Sequence, residues 1–358
     1  TTLVLTAQGF APVNIYRTAT TTTSNTMLQA SNENEMFPMK KGSTVALITP
    51  YTPEGNIDLN ELRTLLQFHL RSGTSNLCIL GTTGEASVMS MQERESVLKV
   101  AVDEVKGKMP ILVGTGTIDP RKVKEMTQQA IDLGCDANLL VSPYYVKPPQ
   151  RLLIKHITNI ADMGLPLVIY NIPSRTGVDL TDANIALCAE HDNIVGVKDA
   201  TGDLTRVKSL RSQLQQNKIQ KQFLLYSGDD GSSLQFVNNG GDGCISVTAN
   251  LAPSAMSQIM NLALDGKAHQ AAHLNSALDL LHQNLFLEAN PMPAKWAAQK
   301  MGLISTPYCR PPLGQMDETA FGDDLMEALR MAGLMDDDKS TTTTTTTSSS
   351  TTSSSSSS

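Results

Sequence analysis

The chain has 358 residues, 40% apolar and 18% charged, which suits a globular protein with a sizeable core. Its 28 basic residues are outnumbered by 35 acidic ones, giving a net charge of −7 with no basic run. That balance argues against nucleic-acid and anionic-membrane surfaces, and no apolar stretch is long enough to span a bilayer. Cys78, Cys135, Cys188, Cys244 and Cys309 are odd in number and lack CxxC or zinc spacing, so they read as buried reduced thiols.

Residues 1–41 are rich in Thr, Ser, Ala and Asn and carry Arg17 with no acid before Glu33. This composition resembles an organelle transit peptide, and Ala7–Pro12 looks like a cleavage signal for plastid import. A plastid destination is therefore expected. An ordinary disordered leader on a cytoplasmic protein is the other reading.

From Gly42 two kinds of segment alternate. Apolar, β-branched runs recur at Thr44–Ile48, Leu77–Leu80, Ile111–Val113, Ala137–Val141, Leu167–Tyr170, Ile194–Val197, Phe223–Tyr226 and Cys244–Val247. Each is apolar at nearly every position, as parallel strands buried on both faces require. Amphipathic helices separate them: Leu59, Leu62, Leu65, Leu66 and Leu70 share one face, and Val123, Met126, Ala130 and Ile131 another.

Eight such units in about 225 residues predict an α/β fold, a TIM (β/α)8 barrel over 42–266. A doubly wound sheet is the rival, but no GxGxxG follows the first strand. Three helical segments at roughly 267–286, 292–301 and 317–333 predict a C-terminal helical extension over 267–335. Residues 336–358 are a low-complexity Ser/Thr tail. His269 and His273 have an i, i+4 spacing but no third ligand, so no metal site is assigned to them.

In a TIM barrel the chemistry lies at the C-terminal ends of the strands. Lys198 closes the sixth strand, where desolvation disfavours an ammonium and exposes a nucleophilic amine. Pairing with Asp199 is the bland alternative. Tyr170 ends the neighbouring strand, and its phenol can shuttle a proton if Thr82 relays it. The Thr82-Thr83-Gly84 turn offers backbone N–H groups to a carboxylate, and Arg175 offers a guanidinium fork. Asp229-Asp230 read as a helix cap rather than a metal site.

Gly81–Glu85, Tyr170–Gly177, Gly196–Gly202, Ser227–Asp230, Ile245–Asn250 and Asn290–Trp296 together resemble the dihydrodipicolinate synthase family of pyruvate-dependent class I aldolases. The resemblance runs in order from about Gly42 to Leu334. It implies a Schiff base between Lys198 and pyruvate, with proton relay by Tyr170, Thr82 and, across a subunit interface, Tyr145. It implies that Thr83 holds the pyruvate carboxylate and Arg175 that of L-aspartate 4-semialdehyde, with Gly228 and Ile245 lining the pocket. The implied product is 4-hydroxy-tetrahydrodipicolinate, at the first committed step of lysine biosynthesis by the diaminopimelate route. The implied assembly is a homotetramer, a dimer of dimers needing no metal or organic cofactor.

Positions matching the family's lysine-inhibition site are Met91, Arg94, Ile118 and Lys122. None keeps the inhibitor-binding chemistry, so inhibition by lysine is expected to be weak or absent. A 4-hydroxy-2-oxo acid aldolase or a sialic-acid-type lyase is the nearest rival, and Arg175 in an intact Ser-Arg-Thr-Gly run favours the synthase. A non-catalytic regulatory barrel would be expected to lack Lys198 or Tyr170, and both are present.

Overall fold

The computed structural model describes residues 38–336. Most of the leader and of the Ser/Thr tail lies outside the described residues. Eight strands form the centre: β1 (Gly42–Ala46), β2 (Asn76–Ile79), β3 (Ile111–Gly114), β4 (Ala137–Val141), β5 (Leu167–Asn171), β6 (Ile194–Asp199), β7 (Leu224–Ser227) and β8 (Gly243–Ser246). They pair in sequence order, all parallel, and β8 closes onto β1. The fold is the (β/α)8 barrel.

The strands sit where the apolar runs lie, displaced by one or two residues at some ends. β1 lies two residues earlier at both ends, and β6 continues two residues further, through Lys198 and Asp199. The ladder does not stop where the apolar run stops, because Tyr170, Asn171, Tyr226 and Ser227 on the flanking strands extend equally far.

Local chemistry starts the helices. Asp58 caps Leu59–Arg71 by accepting from the Asn60 and Glu61 amides. Ser90 and Glu93 form a capping box on Met91–Val105, and Asp119 precedes Pro120 at the head of Pro120–Asp132. Leu62, Leu65 and Leu66 are fully buried against the barrel, each stabilising by about 1.5–3 kcal/mol. Gly73 and Gly134 leave helices at φ +76° and +74°, and nothing crowds either position. Left-handed backbone is therefore what demands glycine there.

The C-terminal helices are Ala268–Asn275, Asp279–Asn284, Met292–Lys300 and Glu318–Met331. The segment expected as one helix over 267–286 is broken. Asn275 Nδ2 donates to Asp279 and Ser276 Oγ to the His273 carbonyl, giving the chain a local alternative to helix continuation. Trp296, Ala297, Leu325 and Leu329 join these helices to the core that packs around β1 and β2.

Residues 38–41, grouped by composition with the leader, pack on the barrel floor. Met39 is buried, Lys40 exchanges two hydrogen bonds with Asn76, and the Tyr226 hydroxyl donates to the Lys40 carbonyl. Asp242, also on the floor, accepts from the Leu225 amide and from Arg211, and pairs with Lys41. Among the described residues no helix is long and apolar enough to cross a membrane.

Candidate active site

Two strand ends bring the amine and the phenol together. Tyr170 and Lys198 are direct register partners on β5 and β6, so their side chains leave the sheet on the same face. Lys198 Nζ lies 4.4 Å from the centroid of the Tyr170 ring, and both residues are buried. Asp199, one residue on, points to the opposite face.

That alternation decides against the Lys198–Asp199 pair. The Asp199 carboxylate meets Arg206 Nε at 3.1 Å, the Asn171 amide, and the backbone and hydroxyl of Thr201. Among the described residues no carboxylate lies within ion-pair distance of Lys198. Arg206 also bonds Asp179, which Asn171 holds as well. Residues 171 and 179 thus pin both ends of the loop that carries Arg175.

Lys198 packs on Gly228. A Cβ at that glycine would sit 2.9 Å from Lys198 Cε and 2.7 Å from Ala200 Cβ, so only glycine fits without displacing them. Ile245 is buried on β8 beside Thr44.

The Thr82–Glu85 turn is built for close approach. The Gly84 and Glu85 amides bond the Gly81 and Thr82 carbonyls, at 3.1 Å each. The Thr82 and Thr83 amides meet no acceptor among the described residues. Glu85 is buried at φ +55° and accepts from Lys295 Nζ and the Arg310 amide. Burial pushes the Lys295 ammonium down, while Glu85 beside it opposes that shift.

Thr82, Tyr170 and Arg175 line one cavity of about 530 Å³, within the range for small-ligand sites. Met91, Arg94, Lys122 and Glu125 line it too, whereas Ile118 is exposed and does not. Arg94 donates to the Gly114 carbonyl, and burial pushes its guanidinium down to about 10. Tyr145 is not brought to Lys198: it is 87% exposed, and Tyr144 lines the cavity instead. Asp229 caps the next helix through the Ser232 amide, and Asp230 accepts from the Val247 and Thr248 amides.

The model of the Dihydrodipicolinate synthetase family matches residues 39–330. The chain belongs to this family. It is 43% identical over 297 residues to a 4-hydroxy-tetrahydrodipicolinate synthase of Thioalkalivibrio sulfidiphilus, a match covering 83% of this chain and 99% of that protein. The chloride-inhibited dihydrodipicolinate synthase of Acinetobacter baumannii, solved with pyruvate, is 44% identical with a TM-score of 0.79, over 82% of this chain and 99% of that one. A structure described as the first monomeric dihydrodipicolinate synthase variant is 34% identical with a TM-score of 0.80, over 84% and 99%.

The same comparison corrects the plastid expectation. The curated relatives at 41–43% identity are bacterial members of the family, which favours the cytoplasmic alternative.

Sequence reasoning assigned no role to Glu85, Asn171, Arg206, Asn290 or Lys295. A signal existed for Lys295, a charge among Ala294, Trp296, Ala297 and Ala298, all buried. A lysine on such a face needs a buried partner.

Gly228→Ala is expected to displace the Lys198 side chain and lower kcat/KM by roughly 10²-fold, because a shift of about 1 Å at a reacting group costs that much. Thermal unfolding of the variant checks that the barrel remains intact. Full activity in folded protein would show that Lys198 tolerates the added methyl.

Proposed function

We infer that the chain condenses pyruvate with L-aspartate 4-semialdehyde to give 4-hydroxy-tetrahydrodipicolinate in lysine biosynthesis, as a lyase of the class I aldolase type. One observation carries this reading: a buried lysine with no ion-pair partner among the described residues, 4.4 Å from a tyrosine ring at the mouth of the barrel.

In this reading the barrel over 42–266 holds the chemistry. The Lys198 amine attacks the pyruvate carbonyl carbon, and loss of water leaves an imine. A proton leaves the methyl carbon to give an enamine, whose carbon adds to the aldehyde of the second substrate. The amine of that substrate then attacks the imine carbon, releasing Lys198 as the ring closes. Tyr170 and Thr82 relay the protons, since the phenol is beside the amine and Thr82 lines the same cavity. Thr83 and the free amides of its turn receive the pyruvate carboxylate. Arg175, exposed at the cavity rim, receives the carboxylate of the semialdehyde. Gly228 and Ile245 bound the pocket. The reaction needs no metal or organic cofactor in this scheme.

Tyr145 completes the relay from a neighbouring subunit, within a homotetramer built as a dimer of dimers. Its placement supports this: Tyr145 and Val146 are 87% and 57% exposed, on a loop where Tyr145 and Lys147 adopt positive φ. A strained loop that holds apolar side chains in solvent fits an interface.

Borohydride reduction in the presence of pyruvate is expected to leave one reduced pyruvyl adduct on the Lys198 peptide, detected by mass spectrometry. Lys198→Ala abolishes both the adduct and turnover coupled to a dihydrodipicolinate reductase; an adduct on another lysine would overturn the assignment. In the same assay millimolar lysine is expected to inhibit weakly or not at all, because Lys122 would repel the inhibitor's amines. Inhibition at sub-millimolar lysine contradicts that. Sedimentation equilibrium is expected to give four chain masses, with Val146→Asp shifting the protein to smaller species of lower activity. A fully active monomer would remove Tyr145 from the relay.

A further inference from the structure

The Thr82–Glu85 turn is gripped from the C-terminal region at two points. Lys295 Nζ donates to Glu85, and Asn290 Nδ2 donates to Thr83 Oγ1 at 2.9 Å, a contact spanning 207 residues of chain. Asn290 and Thr83 are 6% and 3% exposed.

We propose that Asn290 is a positioning residue for the pyruvate carboxylate, its amide fixing the Thr83 hydroxyl as a donor toward the substrate. The proposal rests on the reading that Thr83 holds that carboxylate.

A hydroxyl has one proton and two lone pairs, and a carboxylate only accepts. The Asn290 amide occupies a lone pair of Thr83 Oγ1, so the hydroxyl proton must go to some other acceptor. Among the described residues no protein group takes it. A carboxylate bound at this turn does, and a bond to an ionised acceptor is stronger than one between neutral groups. Asn290 Oδ1 is buried and has no partner among the described residues, so Nδ2 makes the one side-chain hydrogen bond of Asn290. What Asn290 supplies is polarity at Thr83.

Asn290→Asp keeps the shape but can only accept, so it turns the Thr83 proton away from the substrate. It is expected to raise the KM for pyruvate at least about tenfold. Asn290→Ala leaves the hydroxyl free to turn either way and raises it roughly three- to fivefold. The KM for the semialdehyde stays within about twofold in both. A merely structural role gives the reverse order, since Ala removes more packing than the near-isosteric Asp, and that order overturns the proposal.

The cycle with Thr83→Val isolates the pathway. In that background each Asn290 substitution is expected to change the pyruvate KM by less than about twofold. If Asn290→Asp keeps its full effect there, its charge acts directly on the substrate and the proposal fails. If Thr83→Val alone leaves the pyruvate KM unchanged, the reading of Thr83 as the carboxylate site fails instead. Should Asn290→Asp not fold, the Asn290→Ala and Thr83→Val cycle decides by the same criterion, and additive effects overturn the proposal.

Discussion

Closure of the parallel barrel is the constraint from which the site follows. Each strand satisfies its backbone groups on two neighbours, so the ladder runs on past the apolar core of β6 into Lys198 and Asp199. Strand alternation then sends these two residues to opposite faces. Lys198 turns inward beside Tyr170. Asp199 turns out toward the helix Thr205–Gln216, where Arg206 takes its charge. An amine and a carboxylate adjacent in the chain are kept from neutralising each other by the geometry of the sheet alone.

A second constraint comes from outside the barrel. Lys295 is fully buried between Glu85, the Tyr308 carbonyl and the face of the Tyr51 ring, 4.1 Å from its centroid. The Arg310 guanidinium beside Glu93 holds its carboxyl down at about 2, and Arg310 also reaches the Gly55 and Val88 carbonyls. Burying an ion pair is of uncertain net benefit to stability, but removing one partner costs about 3–5 kcal/mol. The C-terminal helical region is therefore bound to the turn that carries Thr82 and Thr83. In a fold whose working parts are loops, such a clamp holds one of those loops in place.

Much of this was legible in the residues. Eight doubly buried strands write themselves as apolar runs, and capped amphipathic helices supply their own boundaries at Asp58, Ser90 and Asp119. Lys198, Tyr170 and the Thr82 turn were legible because a reactive side chain at a strand end has a predictable place in a barrel. Asn290 was not, since a lone Asn before a proline has many ordinary uses. Its partner is 207 residues away, and no local pattern encodes that distance. Asn171 and Arg206 escaped for the same reason: each is an unexceptional polar residue until the sheet and its helix meet.

By itself, then, the sequence determined the barrel, its strand order and the presence of an amine, a phenol and a hydroxyl-rich turn at one mouth. These follow from hydrophobic periodicity and strand alternation, which act between near neighbours. Tertiary structure alone decided which charge partners which. It assigned Asp199 to Arg206 rather than to Lys198, Glu85 to Lys295, and Thr83 to Asn290. Those choices depend on distances across the fold of a few ångströms, set by how strands, loops and C-terminal helices pack together, and hydrogen bonds and ion pairs are strong only at such range.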